Sequence, residues 1–265
     1  IIKFEGCYHG AYCSVLVQAG SGSAHIGLSV SEGGLSEVSK NTLVVPYNDS
    51  QTLEQVLSKH KDVAGLIIEP ILAIMGLILP EKNFLSDVRK ITKQHDVPLI
   101  FDEVVTGFGK LGTMFAFEKY NFEPDILVLG KAITNGYFPM GACLIKDHVL
   151  TDTKFFNHGF TFSGHPVGCA AALATLKELE KTSTISFDLK LKYVKKHRQI
   201  GCMGAIDFET TRESLKFIKK MRERGYIMED GSENTTTAVY CLPYIITRED
   251  YVIFIENMQE AINVS

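Results

Sequence analysis

The sequence lacks a surplus of positive charge, paired cysteines and any long unbroken apolar run, and each absence removes a class of function. Twenty-seven Lys and Arg stand against 31 Asp and Glu, for a net charge of -4 and a pI near 6.1. There is no basic footprint for nucleic acid. The longest apolar stretch, GLIIEPILAIMGLILP, is interrupted by Glu69 and Pro70. It reads as two short buried elements rather than a membrane span. Six cysteines are scattered without a CxxC pair, which points to reduced thiols and a cytoplasmic protein. Cys7, His9 and Cys13 crowd together, but no second Cys/His pair completes a zinc site, so no metal is expected. Internal repeats and low-complexity tracts are also missing. The chain opens on Ile1-Ile2, directly in a strand-like run and with no signal or transit segment before it, as a fragment would.

What is present is enough apolar material for a sizeable core: 265 residues, 45% of them hydrophobic. The first two thirds alternate strand-like and helix-like segments. LVVPY precedes QTLEQVLSKH, which Asp49 or Ser50 can cap. AGLIIEP precedes NFLSDVRKITKQHD, where Phe84, Leu85, Val88 and Ile91 mark one helical face. PLIFDE and DILVLG complete the series. Continuous apolar strands separated by amphipathic helices predict an α/β fold, a mostly parallel sheet with helices on both faces. Beyond the alanine-rich helix that Pro166 starts, the pattern changes to a smaller α+β unit. It holds a strand IGCMGAIDF, a helix RESLKFIKKMRER stopped by Gly225, a strand AVYCL and a last helix capped by Thr247 and Asp250. The lysines at 190, 192, 195 and 196 read as a solvated helix face. The division predicted is a large domain over 1–180 and a small C-terminal domain over 181–265.

Ligands of open α/β sheets bind at the carboxyl ends of the strands. Three adjacent predicted strands end in a charge: Glu69, Asp102 and Lys131. Strands must surface somewhere, and any one such charge is ordinary. Together they place a lysine and two carboxylates along one rim. A lysine in a partly desolvated site loses its proton more readily and can condense with a carbonyl. GSGSAHIG, by contrast, has the wrong glycine spacing for a dinucleotide loop.

FDEVVTGFGKLG followed by PDILVLGKAITNGYFPMGA resembles the signature of the class III aminotransferases, pyridoxal-phosphate enzymes of fold type I. HGFTFSGHPVGCAAALATL resembles the block that follows it in that family. KFEGCYHG, QAGSG, VPYND and IIEPILAIMG resemble the family's glutamate-1-semialdehyde aminomutase branch. The resemblance runs to about residue 180, then more loosely through IGCMGAIDF and LPYIITRED.

The resemblance implies a fold type I large domain plus a small α+β domain, pyridoxal 5'-phosphate as cofactor, and amino transfer from an amino acid or amine to a keto acid or aldehyde through a Lys131 Schiff base. It also implies a homodimer with shared active sites. Asp102 matches the partner of the ring nitrogen, Val104 the apolar residue on one ring face and Tyr8 the aromatic on the other. Thr161 matches the residue that binds the cofactor phosphate across the dimer interface. Intramolecular transfer, as in the aminomutase branch, is the alternative, and a non-catalytic family member is a further one. His9 reads as a local hydrogen-bonding residue, and Glu69 as a residue that orients the rim or a loop. The chain departs from the family in lacking the phosphate-binding segment before KFEGCYHG, in carrying Ile74 where transaminases often have glutamate, and in Lys110 where arginine is commoner.

Overall fold

A computed structural model of the chain describes residues 1–17, 36–151, 155–182, 191–231 and 234–263. GSGSAHIG, QAGSG and Lys190 lie outside the described residues. Six strands form the first sheet: β1 Ile2–Phe4, β2 Leu43–Val45, β3 Leu66–Ile68, β4 Leu99–Asp102, β5 Ile126–Leu129 and β6 Ala142–Ile145. Their order is β2-β1-β3-β4-β5-β6, the first five parallel and β6 antiparallel to β5. The short α1 Ser36–Ser39 precedes β2, while α2 Ser50–Lys59 and α3 Phe84–Gln94 make the crossovers before β3 and β4. Asp49 caps α2 by accepting the Thr52 amide at 2.9 Å. The predicted face of α3 is buried in full, Phe84, Leu85, Val88 and Ile91 together, at about 1.5–3 kcal/mol for each large side chain. The single turn α4 Ala116–Lys119 precedes β5, and α5 Pro166–Leu179 follows β6 with proline in its first turn.

The remaining strands, β7 Lys196–Ile200, β8 Met203–Asp207, β9 Glu229–Gly231 and β10 Asn234–Cys241, form an antiparallel sheet ordered β7-β8-β10-β9. Helices α6 Thr211–Glu223 and α7 Arg248–Asn263 accompany it. Period-two alternation places its two faces. Met203 and Ala205 of β8 join the core of the first sheet, whereas Ile206 joins a second core with Phe217, Met221 and Met258. The small sheet is thus covered by its own helices on one side and by the large sheet's unit on the other.

Two expectations are corrected here. IGCMGAIDF is not one strand: Gly201 and Cys202 turn a hairpin between β7 and β8. The turn meets the large unit, since the Cys202 amide donates to the Lys110 carbonyl at 2.9 Å. Nor do the described lysines form a helix face, because Lys196 opens β7 and Lys192 and Lys195 lie outside regular structure. Lys196 to Ile200 pair their backbone with β8, and this long-range partner decides for a strand where the local sequence does not.

Candidate active site

β1 lies inside the sheet, with β2 on one side and β3, β4 and β5 in succession on the other. Connections leaving the carboxyl ends of β1 and β3 therefore diverge, which makes this the sheet's topological switch point, where open α/β sheets bind ligands. Tyr8 and His9 follow β1 at this point and Glu69 follows β3. The Tyr8 amide donates to Glu69 Oε1 at 2.7 Å. Glu69 is buried, and burial pushes its carboxyl up to about 8; the Tyr8 amide opposes the rise, Asp102 adds to it, and Lys131 and Lys3 lower it. The two rim carboxylates and the lysine therefore act on one another through space, on neighbouring strands.

Asp102 ends β4, buried. Its Oδ1 accepts the Val104 amide at 3.0 Å, and its Oδ2 lies 2.8 Å from His9 Nδ1. Burial pushes the His9 pKa below its ordinary value despite that contact. A carboxylate only accepts, so the ring proton sits on Nδ1 and is donated to Asp102. Nε2 is buried and without a partner among the described residues. His9 is thus no local hydrogen-bonding residue; its partner lies 93 positions away. No local signal in the sequence marks it, because the contact depends on the order of β1, β3 and β4 in the sheet.

Gly130 leads from β5 into a 3₁₀ turn, Lys131–Thr134, and Lys131 takes φ +41, in the left-handed region. Its side chain is exposed rather than desolvated as the sequence suggested. The reason is its position at the wall of an open cleft of about 520 Å³ between the two sheets, lined also by Ile74, Val105, Met203, Val239 and Cys241. Val104 packs beside the same turn: a Cβ on Gly130 would come within 3.3 Å of Val104 Cγ1. Tyr8 is half-buried. Thr161 is exposed in the turn before α5, and no described hydrogen bond joins it to this group; of the whole set only Lys131 lines the cleft. The structure therefore gathers Tyr8, His9, Glu69, Asp102, Val104 and Lys131 around one rim of a single chain and leaves Thr161 outside it.

Comparison with known proteins adds lineage to this geometry. The family Aminotransferase class-III matches residues 1–262. The chain belongs to the class III aminotransferase family. Within that family it is 56% identical over 184 residues to a protein of Nitrosopumilus maritimus named glutamate-1-semialdehyde 2,1-aminomutase, a stretch covering 68% of this chain and 43% of the relative. A protein of the same name from Methanocorpusculum labreanum is 36% identical over 245 residues, 91% of this chain and 59% of the relative. Among solved structures, ornithine delta-aminotransferase of Plasmodium falciparum superposes with a TM-score of 0.74 at 27% identity, over 84% of this chain and 60% of that one. The chain spans between two fifths and three fifths of the length of these relatives. Its α/β architecture is that of the fold type I enzymes.

Members of the class III family use pyridoxal phosphate, and the chemistry of the gathered side chains suits that group. A buried carboxylate already fixed by two donors, an amine at a cleft wall, an apolar branched side chain and a half-buried phenol meet the needs of a flat cationic heteroaromatic ring bearing an aldehyde.

Proposed function

We propose that this chain is part of a pyridoxal-phosphate-dependent enzyme that moves an amino group from an amino acid or amine to a keto acid or aldehyde. The observation that carries the proposal is the convergence of Asp102 and Lys131 at the carboxyl ends of neighbouring parallel strands, with Lys131 at the wall of a cleft. When bound, pyridoxal phosphate supplies an aldehyde that condenses with amines and a ring that withdraws electrons from the carbon next to the nitrogen.

The chain's own residues do the rest. Lys131 Nζ is the amine that anchors the cofactor and then takes and returns the proton at the substrate carbon. Asp102 holds the proton on the ring nitrogen, and His9 Nδ1–H keeps that carboxylate aimed. Val104 and Tyr8 pack against the two ring faces. Thr161 binds the cofactor phosphate of the other subunit in a homodimer. Supporting that assignment, Phe155, Phe156, Phe160 and Phe162 around Thr161 are all exposed in the single chain, as residues of an interface are. The two domains, 1–180 and 181–265, each contribute a wall of the cleft. A cytoplasmic location agrees with the six free thiols.

A second reading, transfer within one molecule, is favoured by the 56% identity to a protein named glutamate-1-semialdehyde 2,1-aminomutase. Adding pyridoxal phosphate to the purified chain, recording its visible spectrum before and after borohydride and mapping the adduct tests the common ground. An adduct on Lys131, absent from Lys131→Ala, is expected. An unmodified Lys131 with the cofactor bound elsewhere refutes the assignment, and no binding points to a fragment without its phosphate-binding segment or to a family member retired from catalysis. Product analysis with glutamate-1-semialdehyde and no added keto acid separates the two activities.

A further inference from the structure

Lys3 occupies the middle of β1, an interior strand, and none of its surface reaches solvent. A parallel sheet covered on both faces calls for an apolar residue there. Burying an ammonium costs several kcal/mol unless its protons are satisfied, and no carboxylate among the described residues forms an ion pair with it. Burial accordingly pushes its pKa down to about 8. Its Nζ is instead spent on two backbone oxygens, the carbonyls of Cys7 and Val17, each at 2.8 Å.

Those two carbonyls mark the ends of one loop. Cys7 leads out of the sheet and Val17 lies ten residues on, and one ammonium brings both to the same point. The loop between them carries Tyr8 and His9. From the other side, Glu69 grips the Tyr8 amide. A loop whose ends are joined has few ways to move what it carries. The His9 imidazole then reaches Asp102 with a 2.8 Å contact.

We propose that Lys3 is a positioning residue of the candidate site: by holding the Cys7 and Val17 carbonyls together it closes the loop that carries Tyr8 and His9 and keeps the His9 imidazole on Asp102. The geometric part stands on its own. Only the consequence for cofactor affinity rests on the proposed function.

The test uses the 265-residue chain with isotope-labelled histidine and lysine. Without cofactor, the wild type is expected to show a slowly exchanging His Nδ1 proton that disappears in His9→Asn. Lys3→Met should lose that signal and weaken pyridoxal phosphate binding by about tenfold, the effect of losing a well-aligned polar contact. Met258→Ala, which opens the second core far from this loop, should lower thermal stability yet leave both readouts unchanged. Lys3→Met with the His9 signal and cofactor affinity of the wild type overturns the proposal, and so does a Met258→Ala chain that loses both equally. Where Lys3→Met does not fold, the wild type decides. A lysine ammonium protected from exchange and coupled across hydrogen bonds to the Cys7 and Val17 carbonyls supports the assignment, and its absence overturns it. If the chain binds no pyridoxal phosphate at all, the proton signals still answer for Lys3 while the proposed function fails separately.

Discussion

Arg89→Met tests the joint that sets β4 against β5. Arg89 on α3 sends two guanidinium bonds to Asp125, at 2.6 and 2.9 Å, with side chains only 12% and 5% exposed. Asp125 also accepts the Leu99 amide at 2.8 Å while its own amide donates to the Leu99 carbonyl. It therefore locks the start of β5 to the start of β4, and the register that follows pairs Asp102 with Val128, three residues before Lys131. Methionine fills similar volume without the charge, leaving a buried carboxylate with one amide and with His148 Nε2 at 3.2 Å. Breaking a buried pair by removing one partner costs about 3–5 kcal/mol. The surviving contacts offset ~1 kcal/mol, so the expected loss is about 2–4 kcal/mol. At about 2–4 °C per kcal/mol for a chain of this size, the melting temperature should fall by roughly 5–15 °C. Urea unfolding at pH 7 measures the loss, and the slope should not change.

The pH dependence supplies a second check. Burial alone would push the Asp125 carboxyl up, but Arg89, the Leu99 amide and His148 outweigh it and hold it below its ordinary 3.8. A group with a depressed folded pKa contributes stability above its unfolded value and loses it as pH falls through the folded value. The deficit of Arg89→Met should therefore be full at pH 5–7 and shrink below about 3.8. A deficit under ~1 kcal/mol at pH 7, or one that persists unchanged in acid, refutes the reasoning.

Gly201 turns the β7–β8 hairpin at φ +55, and a Cβ there would sit 2.2 Å from the Lys110 carbonyl oxygen. Gly201→Ala should destabilise by more than ~3 kcal/mol in a urea titration, and a variant within ~1 kcal/mol of wild type contradicts this. Glu103, buried and accepting the Ala116 and Phe117 amides, has its carboxyl pushed up to about 7 by burial. Its contribution to stability is full below its ordinary 4.5 and lost as pH rises through about 7. Glu103→Gln should flatten that stretch of the stability–pH curve, and an unchanged slope is evidence of another titrating group. Asp102→Ala strands the buried His9 Nδ1–H, so a loss of about 1–3 kcal/mol is expected, with about tenfold or more weaker pyridoxal phosphate binding. Wild-type stability and affinity together count against the role given to Asp102.

Much of the fold was legible because its signals are local. The face of α3, Asp49 as a cap of α2 and Pro166 at the start of α5 each depend on residues within a turn or two of one another. The apolar strands ending in Glu69, Asp102 and Lys131 did prove adjacent, since parallel strands joined by short crossovers pair in series. The hairpin at Gly201 was not legible. Its strands pair with each other and with β10, and a lysine-rich stretch shows no apolar period from which a strand would be read. His9 and Lys3 were missed for a related reason. Both look like ordinary polar residues until the strand order is known.

By itself, then, the sequence determined that there is an α/β chain of the class III aminotransferase type, and which strand ends bear charge. Periodicity and block spacing are properties of neighbours along the chain. Only the tertiary structure decided that β1 lies at the switch point, that His9 aims at Asp102, and that Lys131 is exposed on an open cleft. It also decided that a lysine inside the sheet spends its charge on two carbonyls of the loop that carries His9. Those outcomes depend on partners tens of residues apart, and hydrogen bonding under burial selects among such partners only once the chain has folded.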